Sequence, residues 1–77
     1  MESREILAAN LKRLRKAKGL SQEELAHRVG IDRTYVSALE RKVYAASIDL
    51  VDRLAKALDE EPRALLTAQT PEPSENT

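Results

Sequence analysis

Residues 22–41 restrict the fold more than any other stretch, because they predict two short helices joined by a very tight turn. Gly30 stands in the turn, where glycine adopts a positive φ without strain. Ala26, in the first helix, is small enough for the two helix backbones to approach closely. Apolar side chains lock the second helix at a fixed angle, so that its outer face projects from the domain. These side chains are Leu25, Val29, Ile31, Val36 and Leu39.

The ends of these two helices carry their own signals. Ser21 and Glu24 predict a capping box, in which each side chain accepts a hydrogen bond from the other residue's backbone N–H. Asp32 is expected to cap the second helix with its carboxylate. A surface helix usually carries long polar side chains, whereas residues 33–41 combine short side chains with two arginines. This composition is typical of a helix that approaches another molecule closely.

Three further helices are predicted, and no alternating pattern indicates a strand. The first has an apolar stripe at 3.6-residue spacing and stops at Gly19. The other two begin at Ser47, a good capping residue, and at Pro62, which suits the first position of a helix. Their ranges are 3–18, 48–58 and 62–67. The expected fold class is therefore all-α, with five helices.

The length of 77 residues allows one domain, which we place at residues 1–67. Residues 68–77 are polar and contain two prolines, which predicts a disordered tail. Tyr35 and Tyr44 are the only aromatic residues, so the core has to be built from aliphatic side chains.

Composition excludes several kinds of function. The sequence has no cysteine and a single histidine, His27, so a transition-metal site would need carboxylates for nearly all its ligands. Acidic pairs lie on convex helix faces rather than in a pocket that excludes water, so we do not expect an enzyme. No apolar run approaches the roughly 18 residues of a membrane span. We expect a cytoplasmic protein without a cofactor, a small-molecule ligand or a membrane partner.

The charges are divided along the chain, although the net charge is zero. Residues 1–42 contain 10 Lys and Arg against 6 Asp and Glu, whereas residues 43–77 contain 3 against 7. A basic half favours a polyanionic partner, and an acidic half favours solvation or a different contact.

Several stretches together resemble the lambda-repressor/Cro-like (Xre-type) helix-turn-helix family of DNA-binding domains. They are LKRLR at 11–15, LSQEELA at 20–26, VG at 29–30, VSALER at 36–41 and LAKAL at 54–58. Within the family, DRTYVS at 32–37 is similar to the controller proteins of restriction–modification systems, which are small autoregulating dimers. The resemblance implies a five-helix domain that binds double-stranded DNA, with the helix-turn-helix at about 22–41.

The resemblance also implies which residues contact the bases and which contact the DNA backbone. The recognition helix, at about 32–41, would enter the major groove. Its expected base contacts are Arg33, Thr34, Ser37 and Ala38, and an arginine fork suits guanine in particular. The expected contacts to the DNA backbone are Gln22, Tyr35, Arg41, Lys42 and Tyr44. For Tyr35 a second interpretation stays open, in which its ring packs on the domain.

Two structural roles follow from the same resemblance. Arg15 and Glu40 are expected to form a salt bridge that holds the recognition helix against the scaffold. A homodimer is expected, because one recognition helix reads only a few base pairs. Leu58, Leu65 and Leu66 are the candidates for its interface, although the sequence does not separate this role from the core.

The sequence departs from the family at two places. The loop after Arg41 usually contains glycine, asparagine, arginine and proline, and here it reads KVYAA at 42–46. Asp59 replaces a glycine that commonly ends the fourth helix. The zero net charge and this loop keep a second interpretation open, in which the scaffold is a protein-interaction module such as an antitoxin or an anti-activator. The preferred interpretation is a homodimeric transcriptional regulator on a two-fold symmetric operator that controls its own expression.

Overall fold

The computed structural model describes residues 3–68, which form five α-helices and no strand. The fold class and all five predicted helices are confirmed, although three of the predicted helices ran one residue too long. The predicted tail lies outside the described residues apart from Ala68. The helices are α1 (Ser3–Ala17), α2 (Gln22–Val29), α3 (Arg33–Glu40), α4 (Ile48–Ala57) and α5 (Pro62–Leu66).

The capping box at the start of α2 is confirmed. Ser21 Oγ accepts a hydrogen bond from the Glu24 backbone N–H at 3.0 Å, and Glu24 Oε1 accepts one from the Ser21 N–H at 2.8 Å. The hydrogen bond from the Ser21 backbone N–H, followed by the influence of the Ser21 hydroxyl, holds the pKa of the Glu24 carboxyl below its usual range. Because these interactions favour the ionised carboxylate, the start of α2 is stabilised by the charge on Glu24.

The other two capping residues behave differently from each other. Ser47 Oγ accepts from the Leu50 N–H at 3.1 Å, as predicted for the start of α4. Asp32 occupies the residue before α3 with an extended backbone, but its side chain makes no capping hydrogen bond. The predicted N-cap position of Asp32 is confirmed, whereas the expected hydrogen bond to its carboxylate is not made. An aspartate in this position stabilises α3 only through its charge near the N-terminus of the helix.

Gly30 makes the tight turn between α2 and α3. Its φ is +86°, and its N–H closes α2 by donating to the Ala26 carbonyl at 2.8 Å. Arg53 of α4 fixes the same turn from the side, because its Nη2 donates to the Val29 carbonyl at 2.7 Å. The turn is therefore held by its own backbone and by a side chain from a distant helix.

The core consists of aliphatic side chains from all five helices, as the shortage of aromatic residues predicted. α1 packs on α3 and α5, and α4 packs on α2 and α5. Val36 and Leu39 anchor the inner face of α3 in this core. The leucines that are almost completely buried are Leu11, Leu25, Leu39, Leu54, Leu58 and Leu65.

The burial of Leu58 and Leu65 corrects the predicted dimer interface. Both side chains are 0% exposed, so they belong to the core and have no surface to offer to a second subunit. Leu66 differs, since it is 51% exposed on the outer side of α5. The two adjacent leucines of α5 thus have opposite environments, and only Leu66 remains a candidate for an interface.

Asn10 is a buried polar residue that the sequence analysis did not identify. Its Nδ2 donates to the carbonyls of Leu65 and Thr67, both at 2.9 Å. Its Oδ1 accepts from Arg13 Nη2 at 3.2 Å. Asn10 thereby satisfies carbonyls at the end of α5 that would otherwise be buried without a partner. Its position in the apolar stripe of α1 was a signal, because a polar residue there must find partners inside the domain.

Candidate nucleic-acid interface

The N-terminal half of α3 is the part of the domain that presents side chains outward from a rigid base. Arg33 and Thr34 are exposed, and Ser37 is half-buried one turn later. Their helix is fixed from behind by Val36 and Leu39, which are 0% and 1% exposed. Three of the four residues predicted to contact bases therefore lie on an accessible helix face.

Ala38, the fourth predicted base contact, is 5% exposed and is a correction. The chain folds back over this part of α3 after Arg41, and the Val43 N–H donates to the Ala38 carbonyl at 2.9 Å. Ala38 then lines an open hollow of about 460 Å³ together with Thr34 and Tyr44. Its methyl group is part of the wall of this hollow rather than of the protruding face.

Tyr35 and Tyr44 pack against each other at the edge of α3. Their ring centroids are 5.6 Å apart and the ring planes are perpendicular, an arrangement that aromatic pairs favour. Tyr35 is partly buried against the core, whereas Tyr44 is 55% exposed. The interpretation in which the Tyr35 ring packs on the domain agrees with this geometry. The Tyr44 ring stays more than half exposed, and its contact with Tyr35 holds the loop after α3 against that helix.

Arg41 and Lys42 place two exposed positive charges at the C-terminal end of α3. Arg41 Nε donates to Ser37 Oγ at 3.3 Å, which leads the guanidinium back along the outer face of the helix. Lys42 has a positive φ of +67°, so the backbone turns sharply at this residue. The charges of Arg33, Arg41 and Lys42 therefore surround the exposed face of α3.

Arg15 and Glu40 form the ion pair that the resemblance implied. The distances to the carboxylate are 2.7 Å from Arg15 Nε and 3.0 Å from Nη2, which makes the contact bidentate. Arg15 Nη1 also donates to the Leu20 carbonyl at 2.8 Å. The hydrogen bond to Glu40 raises the pKa of Arg15, so the guanidinium stays charged although it is largely buried. The pair fastens the end of α3 to α1.

Gln22, a predicted contact to the DNA backbone, is tied to the same carboxylate. Its Nε2 donates to Glu40 Oε1 at 3.0 Å. Gln22 is the first residue of α2 and is half-buried. No sequence pattern predicts this contact, because 18 residues separate the partners and no periodicity connects them.

The positive charges around α3 are suited to holding an anionic surface. Among the residues that the structure describes, Arg15 with Glu40 is the only ion pair, so the charges around α3 are not paired within the domain. The same residues contain no group of three side chains that could hold a metal ion. Within residues 3–68, no helix has the length and apolar character needed to cross a membrane.

The class of protein follows from the comparison with known families. The sequence profile of the helix-turn-helix family matches residues 11–65, which run from the middle of α1 into α5. Because this match covers more than half of the chain, the protein belongs to the helix-turn-helix family. The family resemblance that the motifs indicated is confirmed.

Individual relatives refine this placement. A hypothetical transcription factor of Neisseria meningitidis serogroup B is 49% identical over 55 residues, which are 71% of this chain and 52% of that protein. The chain thus spans about half the length of that relative. Control protein C.SmaI of Serratia marcescens is 42% identical over 69 residues, which are 90% of this chain and 82% of the relative. The similarity to controller proteins is thereby confirmed.

Solved structures share the fold. A hypothetical transcription factor from Neisseria has a TM-score of 0.85 at 43% identity, covering 87% of this chain and 77% of that one. The biofilm regulator SinR, solved in complex with DNA, has a TM-score of 0.76 at 32% identity. That alignment covers 79% of this chain and 98% of the SinR chain. These relatives are transcription regulators rather than enzymes.

Proposed function

We propose that this protein is a sequence-specific transcriptional regulator that binds double-stranded DNA as a homodimer, with α3 in the major groove. The observation that carries the proposal is the exposed face of α3, which starts with Arg33 and Thr34 and is fixed to the core from behind. A helix held in this way meets the groove without further ordering, and its N-terminal residues reach the base edges first. The similarity to SinR, a protein solved with DNA, supports this mode of binding.

Arg33 is the principal reader of sequence in this proposal. Its guanidinium donates two hydrogen bonds to O6 and N7 of a guanine, a contact that contributes about 1–3 kcal/mol of discrimination. Thr34 and Ser37 lie on the same face and are short, so the helix backbone can approach the bases. Thr34 offers both a hydroxyl and a methyl group for a neighbouring base pair.

The positions around α3 supply the contacts that carry no sequence information. Arg41 and Lys42 donate to phosphates at one end of the helix, and Gln22 donates to a phosphate at the start of α2. Tyr44 offers its exposed hydroxyl beside them. These groups place the duplex so that Arg33 meets the same base step in every complex.

The homodimer interface in this proposal includes the exposed apolar surface of α4 and α5. Ile48 is 83% exposed and Leu66 is 51% exposed, so both large apolar side chains are accessible to a partner. Leu66 also borders a small cavity of about 80 Å³, lined by Leu7 and Val51 among others. A second copy that covers this surface would place two copies of α3 on half-sites one helical turn apart, about 34–36 Å.

Autoregulation is part of the proposal because of the similarity to controller proteins. A regulator of this kind responds to its own concentration, since both dimer formation and operator occupancy rise with it. The operator is then expected to lie in the promoter of the gene that encodes the protein.

The proposal is tested by selecting ligands from a random duplex library at near-physiological salt. We expect enrichment of a two-fold symmetric motif with half-sites about one helical turn apart. The enriched motif can then be searched for upstream of the protein's own gene. A folded protein that enriches no sequence contradicts the proposal.

A protein-interaction module is the second candidate function. The zero net charge and the loop at 42–46, which lacks the glycine, asparagine, arginine and proline usual in the family, favour it. Under this alternative, binding to DNA is weak, ignores sequence and does not depend on Arg33. The same selection therefore separates the two functions.

A further inference from the structure

The carboxylate of Glu40 joins three helices at the rear of the recognition helix. Glu40 is the last residue of α3, and its oxygens accept hydrogen bonds from Arg15 of α1 and from Gln22 of α2. Its side chain is only 4% exposed. The family comparison does not assign a role to the contact between Gln22 and Glu40.

We propose that Glu40, held by Arg15, is a positioning residue that fixes the side-chain amide of Gln22 for donation to a DNA phosphate. This inference rests on the proposed DNA-binding function and assigns a task to a residue that does not itself meet DNA.

The chemistry of the cluster determines how the amide of Gln22 is turned. An ionised carboxylate only accepts hydrogen bonds, and Arg15 only donates them. If the Gln22 amide were reversed, its carbonyl oxygen would lie against the Glu40 carboxylate and repel it. Gln22 therefore directs its nitrogen toward Glu40 at 3.0 Å, and its second amide N–H stays available.

Fixing this amide before DNA arrives affects affinity. A free glutamine side chain loses rotamer freedom when it contacts a phosphate, which weakens binding by about twofold to tenfold for one immobilised side chain. In this domain Glu40 has already ordered Gln22, so that loss occurs when the protein folds. The phosphate contact of Gln22 is then stronger than it would be for a mobile side chain.

The test replaces the ion pair without leaving a buried charge. The double substitution Arg15→Met with Glu40→Met removes both charges together, and such exchanges are often neutral for stability. Gln22 then has no acceptor at Glu40. Thermal unfolding checks that the variant is folded. If it is not, Glu40→Gln is the second variant, because an amide at this position has only one acceptor oxygen for three donors.

The readout is a scan of the selected duplex with one neutral methylphosphonate at a time. In the wild-type protein we expect the methylphosphonate to weaken binding at the phosphate that Gln22 contacts. In Gln22→Ala the same modification should no longer weaken binding at that position. In the double-methionine variant the effect at this position should shrink by about twofold to tenfold. Modified positions that depend on Arg41 and Lys42 should respond as in the wild type, which is the matched control.

A measurement on the free protein separates the inference from the proposed function. The side-chain amide protons of Gln22 should be ordered in nuclear magnetic resonance spectra of the wild type and averaged in the double-methionine variant. If the variant keeps an ordered Gln22 amide, or keeps the full Gln22-dependent phosphate effect, the inference is wrong while DNA binding stands. If the wild type binds no duplex selectively, the proposed function fails and the inference fails with it.

Discussion

Within residues 3–68, two residues other than glycine adopt a backbone conformation that glycine usually supplies. Lys42 has a φ of +67° and Asp59 has a φ of +58°, both in the left-handed region. Both positions depart from the family pattern in sequence, and the structure keeps a left-handed turn at each. The cost is local strain, which an L-residue carries in this region and glycine does not. The absence of glycine was thus readable from the sequence, whereas the retained turn required the structure.

The strain at Asp59 predicts a simple gain in stability. Asp59→Gly should raise the free energy of unfolding by about 0.5–1 kcal/mol, because relief of the left-handed strain exceeds the extra entropy of the unfolded chain. Chemical denaturation measures the change. Asp59→Ala is the control, since it removes the charge but keeps Cβ. A gain of equal size in both variants would assign the effect to charge instead.

The capping box at the start of α2 predicts a response to both mutation and pH. Ser21→Ala should lower the free energy of unfolding by about 1 kcal/mol, because the Glu24 N–H loses its acceptor. The pKa of Glu24 is depressed in the folded protein, so its contribution is fully present above the ordinary glutamate pKa of about 4.3 and is lost as the pH falls through the folded value.

Denaturation curves of wild type, Ser21→Ala and Glu24→Gln between pH 7 and pH 3 check both statements. The difference between wild type and Glu24→Gln should be largest near neutral pH and should shrink on acidification. A difference that stays constant over this range would show that the charge on Glu24 does not contribute to the cap.

At the scale of helices, the sequence predicted which helices form and approximately where each one ends. The reason is that these signals are local, namely the apolar spacing and the residues Ser21, Gly30, Ser47 and Pro62. The sequence predicted contacts between distant elements only where the family resemblance supplied them, as for Arg15 and Glu40. The contacts of Asn10 and Arg53 with backbone carbonyls were missed, since no local pattern identifies the partner. Leu58 and Leu65 were assigned to an interface because a buried and an exposed leucine have the same appearance in a short helix.

The adjacent leucines of α5 provide a prediction about that helix. Leu65→Ala should lower the free energy of unfolding by about 2–5 kcal/mol, because it empties space in the core. Leu66→Ala should change it by less than about 0.5 kcal/mol at a protein concentration too low for dimers. Thermal or chemical unfolding of the two variants measures both changes in the free energy of unfolding. Equal losses would contradict the assignment of Leu66 to the surface.

The same helix tests the proposed homodimer. Leu66→Asp should raise the dimer dissociation constant by about tenfold or more without unfolding the domain, because it introduces a charge into an apolar interface. Sedimentation velocity over a range of concentrations gives the constant. Ala68→Asp, at an exposed position two residues further along the chain, is the control for added charge. Unchanged dissociation in the Leu66 variant would place the interface elsewhere.

At the scale of the whole molecule, the net charge is zero, but basic residues are concentrated in the first part of the chain and acidic residues in the second. The basic part of the chain includes α1, α2 and α3, and among the described residues no ion pair involves Arg33, Arg41 or Lys42 at the exposed face of α3. The acidic excess comes from residues 59–61 and from the tail, since α4 and α5 themselves carry three basic residues against two acidic ones. The division therefore follows the chain rather than separating two faces of the domain. The net charge alone would have hidden it.

The specificity of the recognition helix is the central claim, and Arg33 tests it most directly. We would repeat the duplex selection with Arg33→Ala, using Arg63→Ala as a control that removes the same charge from exposed α5. The expected result is a motif that has lost its preference for guanine at one position of each half-site, with affinity for the original duplex reduced by about 1–3 kcal/mol. The control should keep the wild-type motif. If Arg33→Ala selects the same motif as the wild type with unchanged affinity, α3 does not read DNA in the way proposed.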